Sequence, residues 1–361
     1  MKARIVALPG DGIGPEVTNA AEQVLDKVSN LFNHDIQIDE RLMGGVSIDK
    51  NGIALTEETL ADCLDADAVL LGAVGGPKWD DPSAKVRPEQ GLLTLRKEMG
   101  LFANLRPVST HQKLQDSSPL KNELLKGVDI LVVRELTGGI YFGEPSCRSV
   151  NQNGNLYAVD SMVYLDYEVK RIVELACSLA EGRQGKVTSV DKANVLESSR
   201  LWRQIATEVA HDHPKISFDH LLVDAAAMHL ITKPSNFDVL VTSNLFGDIL
   251  TDEASVLTGS MGNLPSASVG TNGPGLYEPI HGSAPDISGK GIANPIGMIL
   301  SAALLLRYSL KLEQEAKCIE TAVNLALHDG CRTIDLQQHE NSLSTKQMTK
   351  AIIDRMRNNI T

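Results

Sequence analysis

Asp248 and Asp252 stand four residues apart in Asn-Leu-Phe-Gly-Asp-Ile-Leu-Thr-Asp-Glu (244–253). On a helix these positions share one face, and two like charges there repel unless a cation lies between them. Asp224, at the end of an apolar run, offers a third carboxylate. Hard oxygen donors of this kind select Mg2+ or Mn2+ rather than zinc. A solvated acidic helix face has the same spacing. Arg96, Arg106 and Arg134 each carry a planar fork that can grip a carboxylate with two parallel hydrogen bonds. Their ordinary alternative is a place on the surface. Lys192 closes the run Ser-Val-Asp-Lys. A lysine at the carboxyl end of a strand can act as a proton acceptor, or it is a solvated partner of Asp191. Tyr141, in Gly-Gly-Ile-Tyr-Phe-Gly-Glu, is either a general acid or a ring that packs.

Two glycine-rich stretches complete the candidates. Gly10-Asp11-Gly12-Ile13-Gly14-Pro15 is a poor dinucleotide fingerprint, because proline stands where the third glycine belongs. It reads equally as a tight turn opening a helix. The stretch from Tyr277 to Pro295 combines His281, Asp286 and Asn294 with small residues that let a ligand approach the backbone. Asp286 could accept hydrogen bonds from ribose hydroxyls. Together, carboxylate grips, a divalent cation, a proton shuttle and a nucleotide-type loop suit oxidation of an anionic hydroxy acid.

The elements that must hold these groups alternate. Apolar strand patterns cover 3–8, 67–74, 129–135, 186–192, 218–224 and 237–244, most of them ending in polar residues. Helical patterns cover Val17 to Val28, Tyr167 to Ala180, Ser199 to Ala210 and Ala225 to Ile231. That alternation predicts an α/β fold. Residues 138–160, with Asn153-Gly154 as a hairpin turn, read as a protruding β arm. Residues 259–295, dense in glycine, proline and serine, read as one long functional loop.

The 361 residues amount to about two domains. A net charge of −12 with no basic cluster argues against nucleic acid or an anionic membrane as partner. The longest apolar run, near Ile296 to Leu306, falls short of the ~20 residues of a membrane span and reads as a buried core helix. Five scattered cysteines without Cys-x-x-Cys fit free thiols in a reducing cytoplasm.

The motifs, taken in order, resemble the isocitrate/isopropylmalate family of β-decarboxylating dehydrogenases over nearly the whole chain. They are LPGDGIGPEV (8–17), GAVGGPKW (72–79), RPEQGLLTLRK (87–97), ANLRPV (103–108), VRELTGGIYFGEP (133–145), DKANVL (191–196), SNLFGDILTDE (243–253), GSMGNLPSAS (259–268) and YEPIHGSAPDISGKGIANP (277–295). The resemblance implies a two-domain α/β fold with a large twisted mixed sheet, not a standard Rossmann fold. The first, cofactor-side domain would comprise 1–100 and 259–361. The second, dimer-forming domain would comprise 101–258 and include the arm.

It also implies roles. Arg96, Arg106 and Arg134 would hold the two carboxylates of a malate core. Asp224, Asp248 and Asp252 would hold Mg2+ or Mn2+, with Asp224 also facing the substrate. Lys192 would accept the hydroxyl proton and Tyr141 would return a proton after CO2 leaves. NAD would lie on the 277–295 segment, against Glu278, His281, Gly282, Ser283, Ala284, Asp286, Ile287 and Asn294, with Asp335 on the adenosine side. In a homodimer with shared sites, Lys192, Asp224 and Val195 would come from the partner. Glu89, Leu92 and Leu93, with Val195, would choose the substrate. Two leucines suit an isopropyl group, whose burial contributes ~2 kcal/mol. A carboxylate in its place would be desolvated and repelled by Glu89. Asp286 should repel a 2′-phosphate, and Ile287 offers it no hydrogen bond, which favours NAD over NADP. The implied reaction converts 3-isopropylmalate to 2-oxo-4-methylpentanoate and CO2, in leucine biosynthesis. Its rivals are the same chemistry on isocitrate, homoisocitrate, tartrate or malate, and a non-catalytic regulatory subunit.

Overall fold

A computed structural model of the protein describes residues 1–81, 84–337 and 341–357. Its strands, in chain order, are β1 (Lys2–Gly10), β2 (Asp35–Glu40), β3 (Ala68–Ala73), β4 (Leu101–Ser109), β5 (Asp129–Glu135) and β6 (Ser146–Val150). They continue as β7 (Leu156–Asp160), β8 (Lys186–Asp191), β9 (Ser217–Leu222), β10 (Val239–Thr242), β11 (Pro265–Gly270) and β12 (Gly275–Pro279).

The chain divides into two compact units, and each draws on separated stretches of sequence. The first holds Met1–Leu101, His111–Pro119 and the chain from Ser255 onward. The second holds Phe102–Thr110 and Leu120–Ala254. Residues 111–119 and 255–258, assigned to the second domain from sequence, therefore lie in the first unit. The reason is local bonding: Arg332 donates to the Lys113 carbonyl, Ser117 Oγ to Leu336 O and Ser118 Oγ to Val256 O.

In the first unit β2, β1, β3 and β12 run parallel in that order, and β11 is antiparallel to β12. Strand β3 is buried at every position, as expected for a strand covered on both faces. The helix Gly14–Phe32 starts with proline in its first turn and buries Val17, Ala20, Ala21, Val24, Leu25 and Val28, the face expected from the spacing. The helix Ile296–Tyr308 is buried on almost all sides, which explains its unbroken apolar run. Among the described residues no helix is long and apolar enough to cross a membrane.

In the second unit β4 pairs antiparallel with β5, and β5, β10, β8 and β9 follow in parallel. Strands β6 and β7 form a separate antiparallel ribbon, the arm expected over 138–160. The α/β class and the mixed sheet thus agree with the sequence reading.

Two local expectations are corrected. Residues 259–295 are not one loop: β11 and β12 lie inside them as an antiparallel pair. Small residues such as Ser266, Ala267 and Ser268 are buried there, so the strand carries loop-like composition in a tightly packed place. Asp224 does not end a strand but lies in the first turn of the helix Val223–Thr232. Arg106 lies within β4, with seven residues of that strand paired to β5.

Candidate active site

The second unit gathers five of the expected groups around one helix. In Asn244–Ser255, residues 244, 247, 248, 251 and 252 recur at helical spacing and form one stripe. Arg134, at the end of β5, donates Nη1 to Asp248 Oδ1 at 2.5 Å. Its Nε and Nη2 donate to Asn244 Oδ1 at 3.2 and 2.9 Å. Arg106 donates Nε to Asn104 Oδ1 at 2.7 Å and Nη1 to the Thr251 hydroxyl at 2.5 Å. It stands 3.8 Å from Asp248 and 3.6 Å from Asp252. Both arginines are buried, contrary to the surface alternative.

Tyr141 sits in the turn after β5 and donates its hydroxyl to Asp248 Oδ2 at 2.9 Å. Burial, reinforced by the Asp248 carboxylate, raises the phenol above its usual range. A raised phenol keeps its proton and suits a proton donor. Burial also raises Asp252, more than Arg106 beside it offsets. A carboxylate pushed toward its neutral form on one face with a second carboxylate is a group that a divalent cation would stabilise. The donor set is all oxygen and fits Mg2+ or Mn2+.

Lys192 follows β8 and pairs with Asp224 at 2.8 Å, not with Asp191. Asp191 is 1% exposed and taken by Arg203, which donates to both its oxygens. The Lys192 ammonium holds Asp224 below the usual carboxylate range. Within one chain Asp224 pairs with Lys192, while Asp248 accepts from Arg134 and Tyr141. Among the described residues, no three His, Cys, Asp or Glu side chains form a metal-binding group. Val195 lies close by in sequence and is exposed.

The first unit holds two further groups. On the helix Pro88–Glu98, Glu89, Leu92, Leu93 and Arg96 follow one another at i, i+3, i+4 and i+7. Glu89 is exposed and the two leucines are half-buried, so this face presents apolar surface beside a carboxylate. Arg96 Nη2 donates to Glu278 Oε1 at 2.6 Å, and both side chains are nearly buried.

The other group is the segment after β12. His281 donates from Nδ1 to the Gly282 carbonyl, 2.9 Å away, while its Nε2 is buried with no hydrogen-bond partner. Burial holds the imidazole below its usual range, hence neutral. An orphaned ring nitrogen beside small residues fits a hydrogen-bonding ligand such as an adenine. Ala284 adopts a left-handed backbone (φ 38°) and Asp286 is exposed. Asn294 braces the segment from within. It donates to Asn263 Oδ1 at 3.0 Å and to Asp335 Oδ2 at 2.9 Å, and accepts from Ile296 N at 3.0 Å. Asp335 is thereby tied to the same segment and also accepts from Ser260.

Sequence reasoning missed several positions. Asp11 is buried and accepts from the backbone of Gly45, Val46 and Gly75, which ties its turn to the start of the helix Gly45–Asn51 and to the segment after β3. The glycine turn around it lies on the 277–295 segment: Ile13 N donates to Ser283 O at 2.8 Å. A Cβ on Gly12 would fall 1.9 Å from that same oxygen, so the second glycine serves close approach. Asn104, Asn244, Gly247 and Thr251 were also missed, although each lies inside one of the family-like motifs.

A family model described as isocitrate/isopropylmalate dehydrogenase matches residues 4–352. A 3-isopropylmalate dehydrogenase from Anaeromyxobacter dehalogenans is 65% identical, covering 99% of this chain and 100% of the relative. One from Bacillus subtilis is 56% identical, covering 98% and 96%. Among solved structures, isocitrate dehydrogenase from Methylococcus capsulatus is similar with a TM-score of 0.87 at 34% identity, covering 99% of this chain and all of that one.

Proposed function

The chain belongs to the isocitrate/isopropylmalate dehydrogenase family, an oxidoreductase of the β-decarboxylating type, and from that premise we propose that it oxidatively decarboxylates 3-isopropylmalate with NAD and Mg2+ or Mn2+. The observation that carries this reading is the Asn244–Ser255 stripe, where two acidic side chains meet two buried arginines and a tyrosine hydroxyl. Full-length relatives with that substrate in their names support the choice of acid, as does the Leu92–Leu93 face. Formation of the branched 2-keto acid would serve leucine biosynthesis.

Arg106 and Arg134 hold carboxylate oxygens through charge-assisted hydrogen bonds, and Arg96 adds a third grip. The isopropyl group lies on Leu92, Leu93 and Val195, with Glu89 excluding an anionic substituent. Lys192 takes the hydroxyl proton, and Tyr141 returns one to the carbon that loses CO2. A divalent cation bound by Asp248, Asp252 and Asp224 would polarise the hydroxyl and offset the charge left when CO2 departs. NAD, when bound along Glu278, Gly282, Ser283, Ala284, Asp286 and Ile287 with its adenine at His281, supplies the hydride acceptor. Asn294 and Asp335 hold that segment in shape.

The working form we infer is a homodimer in which Lys192, Asp224 and Val195 complete the partner's site. The different partners of Asp224 and Asp248 within one chain support it. So does the β6–β7 ribbon, whose Val150 is 60% and Leu156 74% exposed. A lone two-stranded ribbon is marginal in water and calls for a partner.

The deciding experiment follows NADH appearance with 3-isopropylmalate, isocitrate, malate and tartrate, each with NAD or NADP, with Mn2+ or with chelator. Metal-dependent turnover of isopropylmalate with NAD is expected to dominate. Faster turnover of another acid would remove the pocket assignment, and silence across the panel would favour a regulatory subunit.

One substitution tests how the stripe seats Arg134. A Cβ added at Gly247 would lie 2.6 Å from Arg134 Cγ. Carbon atoms rest ~3.5–4.0 Å apart, so Gly247→Ala should displace the arginine stem by about an ångström and lower kcat/KM by ~10–100-fold. Wild-type kinetics in a folded Gly247→Ala protein would show that the stem has room to spare.

A further inference from the structure

Asn244 sits between the substrate arginine and the segment that carries the proton donor. Its side-chain oxygen accepts from Arg134 Nε and Nη2, and its Nδ2 donates to Gly138 O at 3.3 Å. Its backbone N donates to the Tyr164 hydroxyl at 2.9 Å, and the residue is 1% exposed. Gly138 leads into the turn at 140–142, which carries Tyr141. One amide therefore meets the guanidinium on one side and the tyrosine's backbone support on the other.

We propose that Asn244 is a positioning residue for this reaction, orienting Arg134 with a neutral oxygen while fixing with its NH2 group the Gly138 backbone that leads into the Tyr141 turn. The inference rests on the proposed function and extends it to a side chain that need not touch substrate. The choice of an amide has a physical reason. Arg134 is 4% exposed, where charge interactions are strong. Asp248 already places one carboxylate on this guanidinium. A second acid would cancel the attraction an incoming carboxylate needs. An amide oxygen gives the same directional hold without that cost. The same pattern recurs at Arg106, whose Nε is held by the amide oxygen of Asn104. The NH2 half is equally specific: a carboxylate in its place would set an oxygen against the Gly138 carbonyl and leave it without this donor.

The test uses the full-length protein with 3-isopropylmalate, NAD and Mn2+, comparing wild type, Asn244→Asp and Asn244→Ala. Asn244→Asp keeps the side-chain shape and adds a charge. It should raise KM for isopropylmalate about tenfold or more in the folded protein, with KM for NAD within twofold. Asn244→Ala leaves the arginine's charge but releases both bonds, so it should lower kcat more than it raises KM. A residue with only a packing role would instead lower Tm in both variants and leave KM in the folded fraction unchanged. An unchanged KM in folded Asn244→Asp overturns the proposal. Should that variant not fold, unchanged kcat and KM in Asn244→Ala overturn it. A wild type inert toward every acid in the panel removes the proposed function, and this inference with it. An active wild type with unmoved variants removes the inference alone.

Discussion

Lys192→Met is expected to lower kcat about a thousandfold, within the 10²–10⁴ range that a positioned proton acceptor contributes. The thermal midpoint should not move measurably. Lys192 makes one ion pair, with an Asp224 whose side chain is 65% exposed, and such pairs add little to stability. Substrate and NAD affinities should change far less than kcat, because in the proposed reaction the lysine acts on the reacting hydroxyl rather than on the carboxylates. Steady-state kinetics with a thermal melt decide it; a kcat within tenfold of wild type would take the base role away from Lys192. The same variant tests the shared site. Lys192→Met and Asp248→Asn each spoil a different half. If both halves come from one chain, a refolded mixture stays inactive. If they come from two chains, hybrid dimers carry one intact site, and an equal mixture should regain about a quarter of wild-type activity.

Asp248→Asn should be the second severe change, with kcat/KM falling about a thousandfold and the thermal stabilisation by Mn2+ lost. Asp248 is the junction of the stripe. It accepts from Arg134 and from Tyr141, and stands 3.8 Å from Arg106. An amide keeps the shape but gives up the charge that a cation requires. Loss of several kcal/mol of charge stabilisation in the transition state corresponds to a change of about this size. The stabilisation should also depend on pH. Burial holds the Asp252 carboxyl above its usual range in the folded chain. Without metal, that group makes folding less favourable as pH rises from the ordinary carboxylate value through the raised one. A cation needs the ionised form, so the Mn2+-induced rise in Tm should grow over the same interval. A rise in Tm equal in wild type and Asp248→Asn would place the cation elsewhere.

Much of this arrangement is legible in the residues. Helical spacing pairs Asp248 with Asp252, and the structure puts both on one face of Asn244–Ser255. The apolar face of Gly14–Phe32 and the arm at 138–160 are readable for the same reason: period and turn chemistry are local properties. Pro15 is enough to set the glycine turn at 10–15 apart from a dinucleotide fingerprint. What that turn does instead, lying on the segment around Ser283, joins residues some 270 positions apart and leaves no local mark.

What composition conceals is burial. Strands β11 and β12 look like loop because small residues fill tightly packed positions: Ser266 and Ser268 are buried, and a Cβ on Gly270 would fall 2.8 Å from the Gly100 carbonyl oxygen. The alternatives for Lys192 are likewise undecided by the chain alone. Adjacent Asp191 is the nearer candidate in sequence, but Arg203 claims it from one helix away, and the lysine turns to Asp224. Asn104, Asn244 and Thr251 are invisible as functional residues, since a neutral side chain announces nothing until an arginine is laid against it. The sequence by itself determined which chemical groups the protein owns and which short segments present them. Only the tertiary structure decided their partners, because a hydrogen bond is formed between atoms within about 3 Å of one another, a distance that strand order and packing, not chain position, establish.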